Sequence, residues 1–311
     1  MSDPAVAIFA GGVSREREVS LRSAEAVRVA LQSSFPVEVF PIDSEAVPVE
    51  VRPESHVVFS TLHGVFGEDG GMQALLDERG VVYAGSDAAA SRLCMDKSGT
   101  KSAVAGGGVT APRGIVFAGD RPPSAGEIVR ELGPRVVLKP NGEGSSIGLR
   151  FAGHPSELEE ILQQLDAGIW LAEERIEGRE LTVGVLDGRA MGVVEIIPES
   201  GCYDYASKYT KGLTRYQAPA EISTGIAREI RQAAETAFAL CGCRDFARAD
   251  FILEESGRAC FLEVNTLPGL TGTSLLPMSA ACEGLDFNAL ARRLIMPAWQ
   301  RFNSVKEKVK S

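Results

Sequence analysis

Histidine is the scarcest chemically versatile residue in this chain, with 3 in 311 residues, so a histidine-rich metal centre is excluded. The 6 cysteines (Cys94, Cys202, Cys241, Cys243, Cys260, Cys282) include no CxxC pair, and Cys241 and Cys243 lie far from any histidine, which argues against zinc. Buried reduced thiols are the expectation. No apolar run reaches the roughly 20 residues a membrane helix needs. Basic residues are outnumbered, 32 against 42 acids for a formal charge of −10, which argues against broad nucleic-acid binding. The start, Met1-Ser2-Asp3-Pro4, lacks a signal peptide's basic and apolar regions. A cytoplasmic protein is the expectation. Two familiar phosphate-binding signatures are also missing: Gly11-Gly12-Val13-Ser14 is not G-x-G-x-x-G, and no GK[ST] P-loop occurs.

What is present is the make-up of a globular enzyme, with 24% charged and 44% hydrophobic residues and enough length for two or three domains. Apolar runs at 6–10, 37–40 and 57–60 alternate with helical patterns at 19–31 and 72–78, the rhythm of a small parallel α/β unit up to about residue 95. A second unit runs from Asp96 to about residue 180. It has a helix at 98–105 stopped by Gly106-Gly107-Gly108, a strand at 136–138, and a helix opened by Ser156 with Glu159 as capping box. A strand at 169–172 closes it. The remainder opens on strands at 181–186 and 191–197 joined by Asp187-Gly188, a strong hairpin signal. A helix at 226–240, a second hairpin and a helix at 288–295 follow, then a basic tail, 306–310, read as a solvated end.

The second hairpin pairs residues 246–253 with 259–265 around a turn at 254–258. Strand side chains alternate faces, so Arg248 shares one with Asp250, and Glu263 with Asn265. If four residues close the loop, Asp250 stands across from Glu263 and Arg248 across from Asn265. Two carboxylates and an amide oxygen suit magnesium that also holds nucleotide phosphates, and the guanidinium beside them can stabilise developing negative charge. By itself the segment also reads as a salt-bridged surface hairpin.

Other segments carry the same ambiguity singly. Lys139 precedes the glycine-rich run Asn141-Gly142-Glu143-Gly144-Ser145-Ser146-Ile147-Gly148, either a phosphate cradle or a flexible surface loop. Glu173 to Glu180 follows a strand and is either a solvated face or a base-binding exit with Glu180 on the ribose. Tyr203 to Gly212 has an active-site lid's composition, with Lys208 to cover a phosphate and Tyr209 to bond substrate, or is an ordinary packed loop. Glu16 sits where the first strand passes into its helix, placed to meet a cation, and His63 occupies an equivalent strand edge. A lone histidine is as often structural.

Taken together, these residues resemble the ATP-grasp superfamily, specifically the D-alanine–D-alanine ligases. The likeness covers almost the whole chain, through Ser14-Arg-Glu-Arg-Glu-Val-Ser20, His63-Gly64 with Gly67-Glu-Asp-Gly70, Tyr83-Ala-Gly-Ser86, Met95-Asp-Lys97, Gly144-Ser-Ser146, Tyr203-Asp-Tyr205 with Lys208-Tyr209, and Glu263 to Gly269 with Ser274-Leu275. It implies a mixed α/β ATP-grasp fold: an N-terminal substrate-binding domain (1–95), a central ATP-grasp domain (96–180) and a C-terminal metal-binding catalytic domain (181–311). The activity it implies is ATP-dependent joining of two D-alanines through a D-alanyl phosphate, for peptidoglycan synthesis. ATP as co-substrate would meet Lys97, Lys139, Ser145, Ser146, Glu173, Ile176, Glu180 and Lys208. Two Mg²⁺ ions, replaceable by Mn²⁺, would be held by Asp250, Glu263 and Asn265.

By the same resemblance Glu16 and His63 serve the first D-alanine, Ser274 and the Leu275 amide the second, and Arg248 with the Gly269 amide the oxyanion. Glu16, Ser145 and Tyr209 would form a network orienting the lid. A homodimer binding no nucleic acid or membrane is implied too. Two positions depart from the family pattern. Glu174 stands where many members carry lysine near the adenine, and Thr273 where histidine precedes the serine. The alternatives are a same-fold ligase with another acceptor (D-lactate, D-serine or another amino acid), or a nucleotide binder without turnover.

Overall fold

The structure, a computed structural model, describes residues 4–199 and 212–310. Three sheets are built in sequence order, each around its own apolar cluster.

The first is parallel. β1 (Ala5–Gly11) lies between β2 (Val37–Ile42) and β3 (His56–Ser60), with β4 (Val82–Tyr83) at the edge. β1 and β3 are buried at every position, as strands covered on both faces must be. Helix α1 (Arg17–Leu31) packs on this sheet through Ala24, Val27 and Leu31, at helical spacing; α2 (Gly71–Glu78) contributes Met72 and Leu76. Then come α3 (Ala88–Met95), whose first turn is capped by Asp87, and α4 (Lys97–Ala105), capped by Asp96. The glycine run at 106–108 ends α4 as the sequence indicates.

The second sheet is antiparallel, in the order β5 (Gly114–Ala118), β8 (Ile169–Glu174), β6 (Val136–Pro140), β7 (Arg150–Ala152). Helices α5 (Ala125–Leu132) and α6 (Pro155–Leu162) bury Ile128, Leu132, Leu158 and Leu162 against it. The capping box expected at Ser156 and Glu159 is not formed. His154 is the N-cap with Pro155 opening the helix, and Glu157 accepts a bond from the Gly153 amide at 2.7 Å. Proline at the first helical position removes a donor that would be unsatisfied and fixes φ, so the cap falls two residues earlier than expected. A true capping box joins Ser124 and Glu127 at α5.

The third sheet runs β11 (Thr214–Gln217), β10 (Arg189–Pro198), β9 (Arg179–Leu186), β12 (Phe246–Leu253), β13 (Ala259–Asn265). Its first hairpin turns at Asp187 (φ 51°) and Gly188 (φ 73°), both positive as the two-residue turn requires. α7 (Thr224–Leu240) and α8 (Leu275–Ala281) pack against it. The final helix, α9 (Phe287–Lys310), extends through the expected solvated tail and returns to the first sheet, where Leu290, Leu294 and Phe302 join the cluster containing Phe9 and Phe59. Buried Asp245 pins this return: Arg301 donates to both its carboxylate oxygens at 2.7 Å, and the Gly85 amide donates to it at 2.9 Å.

Candidate active site

The three sheets converge on a cleft of about 760 Å³. Its walls come from the β1–α1 junction (Glu16, Val19, Arg22), the turn after β3 (His63, Glu68) and the glycine loop after β6 (Glu143 to Ser145). Arg248 on β12, the segment from Glu263 to Leu275, the α3–α4 junction (Cys94 to Lys97) and Thr214 and Tyr216 on β11 also line it.

The hairpin β12–β13 sets Asp250 opposite Glu263 and Arg248 opposite Asn265, as the alternation suggested. Arg248 donates to both Asp250 oxygens, Nε at 2.9 Å and Nη2 at 2.8 Å, and the Thr182 hydroxyl donates to the same carboxylate at 2.6 Å. Asn265 Oδ1 accepts from the Leu267 amide at 2.9 Å. Among the described residues no three His, Cys, Asp or Glu side chains enclose a metal position. The donors here are two carboxylates and an amide along one hairpin face, all hard oxygens. That set fits magnesium, which binds a protein through one or two carboxylates and keeps water and phosphate oxygens for the rest.

Lys97, at the start of α4, donates to the Glu143 carbonyl and stands 3.9 Å from Glu263 Oε2. One turn on, Lys101 ion-pairs with Glu173, whose other oxygen is 2.6 Å from Lys139 Nζ. Glu173 is 2% exposed. Burial, and then the Lys97 charge, push the Lys139 ammonium down to about 8; burial and the Lys139 charge hold Lys101 well below the ordinary lysine range. Lys101 was not among the sequence candidates, although its spacing of four from Lys97 puts both on one helix face.

The glycine loop crosses to the first sheet: Ser145 Oγ donates to Glu16 Oε1 at 2.5 Å. Ser145 (φ 54°) and Ser146 (φ 56°) both adopt the left-handed backbone. His63 is buried. Burial works against its charge, but Glu68, 3.4 Å away, and the Glu16 charge outweigh it and raise its pKa. Ser274 Oγ accepts from the Thr271 amide at 2.9 Å, and a Cβ on Gly269 would come 3.0 Å from that oxygen. A side chain at 269 would therefore crowd Ser274 on the cleft wall that Gly269 lines.

Glu180 and Ile176 lie half-buried near the start of β9, and Ser146 follows Ser145 in the loop; none of the three lines the cleft itself. Glu174 is claimed by Arg113, which donates to it from Nε at 2.9 Å and Nη2 at 2.7 Å. Lys208 and Tyr209 lie outside the described residues. Cys94 and Cys243, 149 residues apart in sequence, bring their sulfurs to 3.6 Å, and all five described cysteines are free thiols.

The glycine loop, the buried Lys97 and the acidic hairpin meet at one cleft, the arrangement expected of an ATP-grasp enzyme. The family model for the D-Ala–D-Ala ligase C-terminus matches residues 118–296. A D-alanine–D-alanine ligase of Methylacidiphilum infernorum is 40% identical over 303 residues, covering 96% of this chain and 97% of its own. That of Geobacter sulfurreducens is 40% identical over 94% of this chain and 93% of its own. The Bacillus anthracis D-alanine–D-alanine ligase complexed with ATP superimposes with a TM-score of 0.84 at 25% identity, covering 97% of this chain and 99% of its own. The VanG D-Ala:D-Ser ligase of Enterococcus faecalis does so at 0.83 and 29%, covering 96% and 100%. The chain belongs to the D-alanine–D-alanine ligase family.

Proposed function

We propose that this chain joins two D-alanine molecules into D-alanyl-D-alanine, converting ATP to ADP and phosphate, for peptidoglycan precursor synthesis. The observation that carries the reading is the hairpin face where Arg248, Asp250, Glu263 and Asn265 meet beside the Glu16–Ser145 contact.

Two anionic reactants must meet, the donor carboxylate and the γ-phosphate of ATP. The chain supplies cations where that repulsion develops: Lys97 and Lys139 against the phosphates, Arg248 against the reacting carboxyl. Asp250, Glu263 and Asn265 would hold two magnesium ions, replaceable by manganese, which when bound neutralise charge on the β- and γ-phosphates. Glu16 holds the ammonium of the first D-alanine, with His63 buried behind it. The donor carboxylate attacks the γ-phosphorus, the bond from phosphorus to the β–γ bridging oxygen breaks, and D-alanyl phosphate forms as ADP leaves with the electron pair. The amine of the second D-alanine then attacks its carbonyl carbon, and phosphate leaves with the electron pair. Arg248 and the Gly269 amide stabilise the oxyanion of that step. Ser274 and the Leu275 amide receive the second carboxylate.

Glu173, Ile176 and Glu180 flank the adenosine, and Ser145 and Ser146 present amides to the phosphates. Water must be kept from the acyl phosphate, and the roles expected of Lys208, at a phosphate, and Tyr209, at the substrate, belong to the same reading. Glu174, bound to Arg113, makes no adenine contact in this reading. Cytoplasmic residence and a homodimer belong to the same reading; among the described residues no helix is long and apolar enough to cross a membrane. So does a division at 1–95, 96–180 and 181–311, with the last helix packed into the first core.

The test is acceptor competition at neutral pH, with D-alanine, D-lactate and D-serine offered together with Mg-ATP and the products resolved by mass. D-Alanyl-D-alanine as the main product supports the reading. A depsipeptide or D-alanyl-D-serine as the main product replaces the acceptor, and binding of ATP without any product replaces the enzyme with a binder.

A further inference from the structure

The cleft carries a cation that the reaction scheme leaves unused. Glu16, Val19 and Arg22, at three-residue steps along the start of α1, all line it. The other cations on its walls are engaged: Arg248 with Asp250, Lys97 with Glu263 and the Glu143 carbonyl, His63 with Glu68. Arg22 is exposed and makes no ion pair with any described residue. Its neighbour Ser23 accepts from the Leu270 amide at 3.2 Å, which fixes the 269–275 wall against this part of α1. That facing wall offers Thr271, Thr273 and Ser274, all uncharged, and the Ser274 hydroxyl is already bonded to Thr271.

The spacing matters as much as the charge. Six residues of helix separate Glu16 from Arg22, an axial rise of about 9 Å. Two extended residues span at most about 7 Å, and an ionic contact adds about 3 Å at each end. A zwitterionic dipeptide lying along α1 thus brings its ammonium to Glu16 and its carboxylate within reach of the long Arg22 side chain. The methyl groups would pass Val19, the apolar residue between them.

We propose that Arg22 binds the carboxylate of the acceptor amino acid, so that Glu16 and Arg22 on one helix select substrates by the distance between their opposite charges. The inference rests on the ligase reading, with Glu16 at the donor ammonium. The cleft walls also carry four carboxylates (Glu16, Glu68, Glu143, Glu263), and beside the already engaged Arg248, Lys97 and His63 this cation offsets their repulsion of an incoming anion.

Steady-state kinetics with Mg-ATP, resolving separate KM values for the donor and acceptor D-alanine, tests it with Arg22→Ala, Arg22→Lys and Arg22→Glu. Arg22→Ala should raise the acceptor KM about fivefold to tenfold, between the worth of an exposed ion pair and a charge-assisted hydrogen bond. The donor KM, the ATP KM and kcat should stay within about twofold, since ground-state and transition-state binding are lost equally. Arg22→Lys should recover most of the affinity, and Arg22→Glu should lose more than alanine. Added salt should raise the acceptor KM of the wild type and leave that of Arg22→Ala flat. An unchanged acceptor KM in Arg22→Ala overturns the inference, as does a rise shared equally by all three KM values. Wild-type protein that forms no dipeptide overturns the ligase reading and this inference with it.

Discussion

Asp250 and Glu263 stand directly opposite each other because β13 carries one more residue than β12 at that point. Phe251 pairs with Phe261 but Asp250 pairs with Glu263, so Leu262 is the extra residue. The turn, residues 254–258, holds five residues, and continued regularly the register would set Asp250 against Leu262. The bulge restores the alternation that puts both carboxylates and Asn265 on one face. Asp250→Asn should therefore raise the magnesium concentration for half-maximal activity at least about tenfold, the scale on which metal-site changes act. A magnesium titration that overlays the wild type would remove Asp250 from the ligand set.

Arg248 bonds both oxygens of Asp250 and lines the cleft, so it is held in one orientation before substrate arrives. Its loss should resemble the loss of an oxyanion donor. Arg248→Ala should lower kcat by about 10²–10³-fold with a normal thermal transition. A folded variant with near-normal kcat would take Arg248 out of the chemistry.

Lys139 is held down to about 8 by burial and by the Lys97 charge. The sign follows from the two states: below about 8 the ammonium is charged both folded and unfolded, and between there and the ordinary lysine value of 10.5 the folded state has released a proton that the unfolded state keeps. Stability therefore gains from this group as pH rises through that window, while its charge for phosphate is lost. ATP affinity should fall above about pH 8, and binding near that pH should take up protons, read as buffer-dependent heat in calorimetry. Lys139→Arg should flatten the affinity profile. Equal heats in buffers of different ionisation enthalpy would show that Lys139 does not change its proton on binding.

Asp245 links β12 to α9 and to the Gly85 turn. Asparagine keeps its shape and tolerates its positive φ of 62°, so Asp245→Asn isolates the charge. Removing the charge from a buried pair whose arginine is about one-third exposed should cost about 2–3 kcal/mol in urea unfolding, with ATP KM unchanged. A loss below about 0.5 kcal/mol would mean the pair is solvent-screened.

The residues show what was legible and what was not. β1, β3, α1 and the Asp187-Gly188 hairpin announce themselves through uniform burial runs, helical spacing and a turn dipeptide, all local signals. β5, β7 and β11 were passed over because short or half-exposed strands lack a clean alternation, and their place is set by partners far along the chain. The length of α9 was missed because Pro297 reads as a stop; here the helix carries it with its apolar face on the first sheet. In the cleft, the hairpin face followed from strand alternation, and the Glu16–Ser145 contact from the family resemblance alone. The pairing of Lys101 with Glu173 did not, since a lysine on a helix ordinarily reads as solvated and only the sheet behind it makes it buried. Glu174 likewise declares its partner, Arg113, only through the β5–β8 pairing.

The central claim is that this cleft makes an acyl phosphate from a D-amino acid and hands it to a second one. D-Alanine-dependent release of phosphate from Mg-ATP, with the product identified by mass, tests it most directly. Release is expected with D-alanine, none with L-alanine, and one dipeptide per phosphate. ATP binding with no phosphate released on adding D-alanine would contradict it.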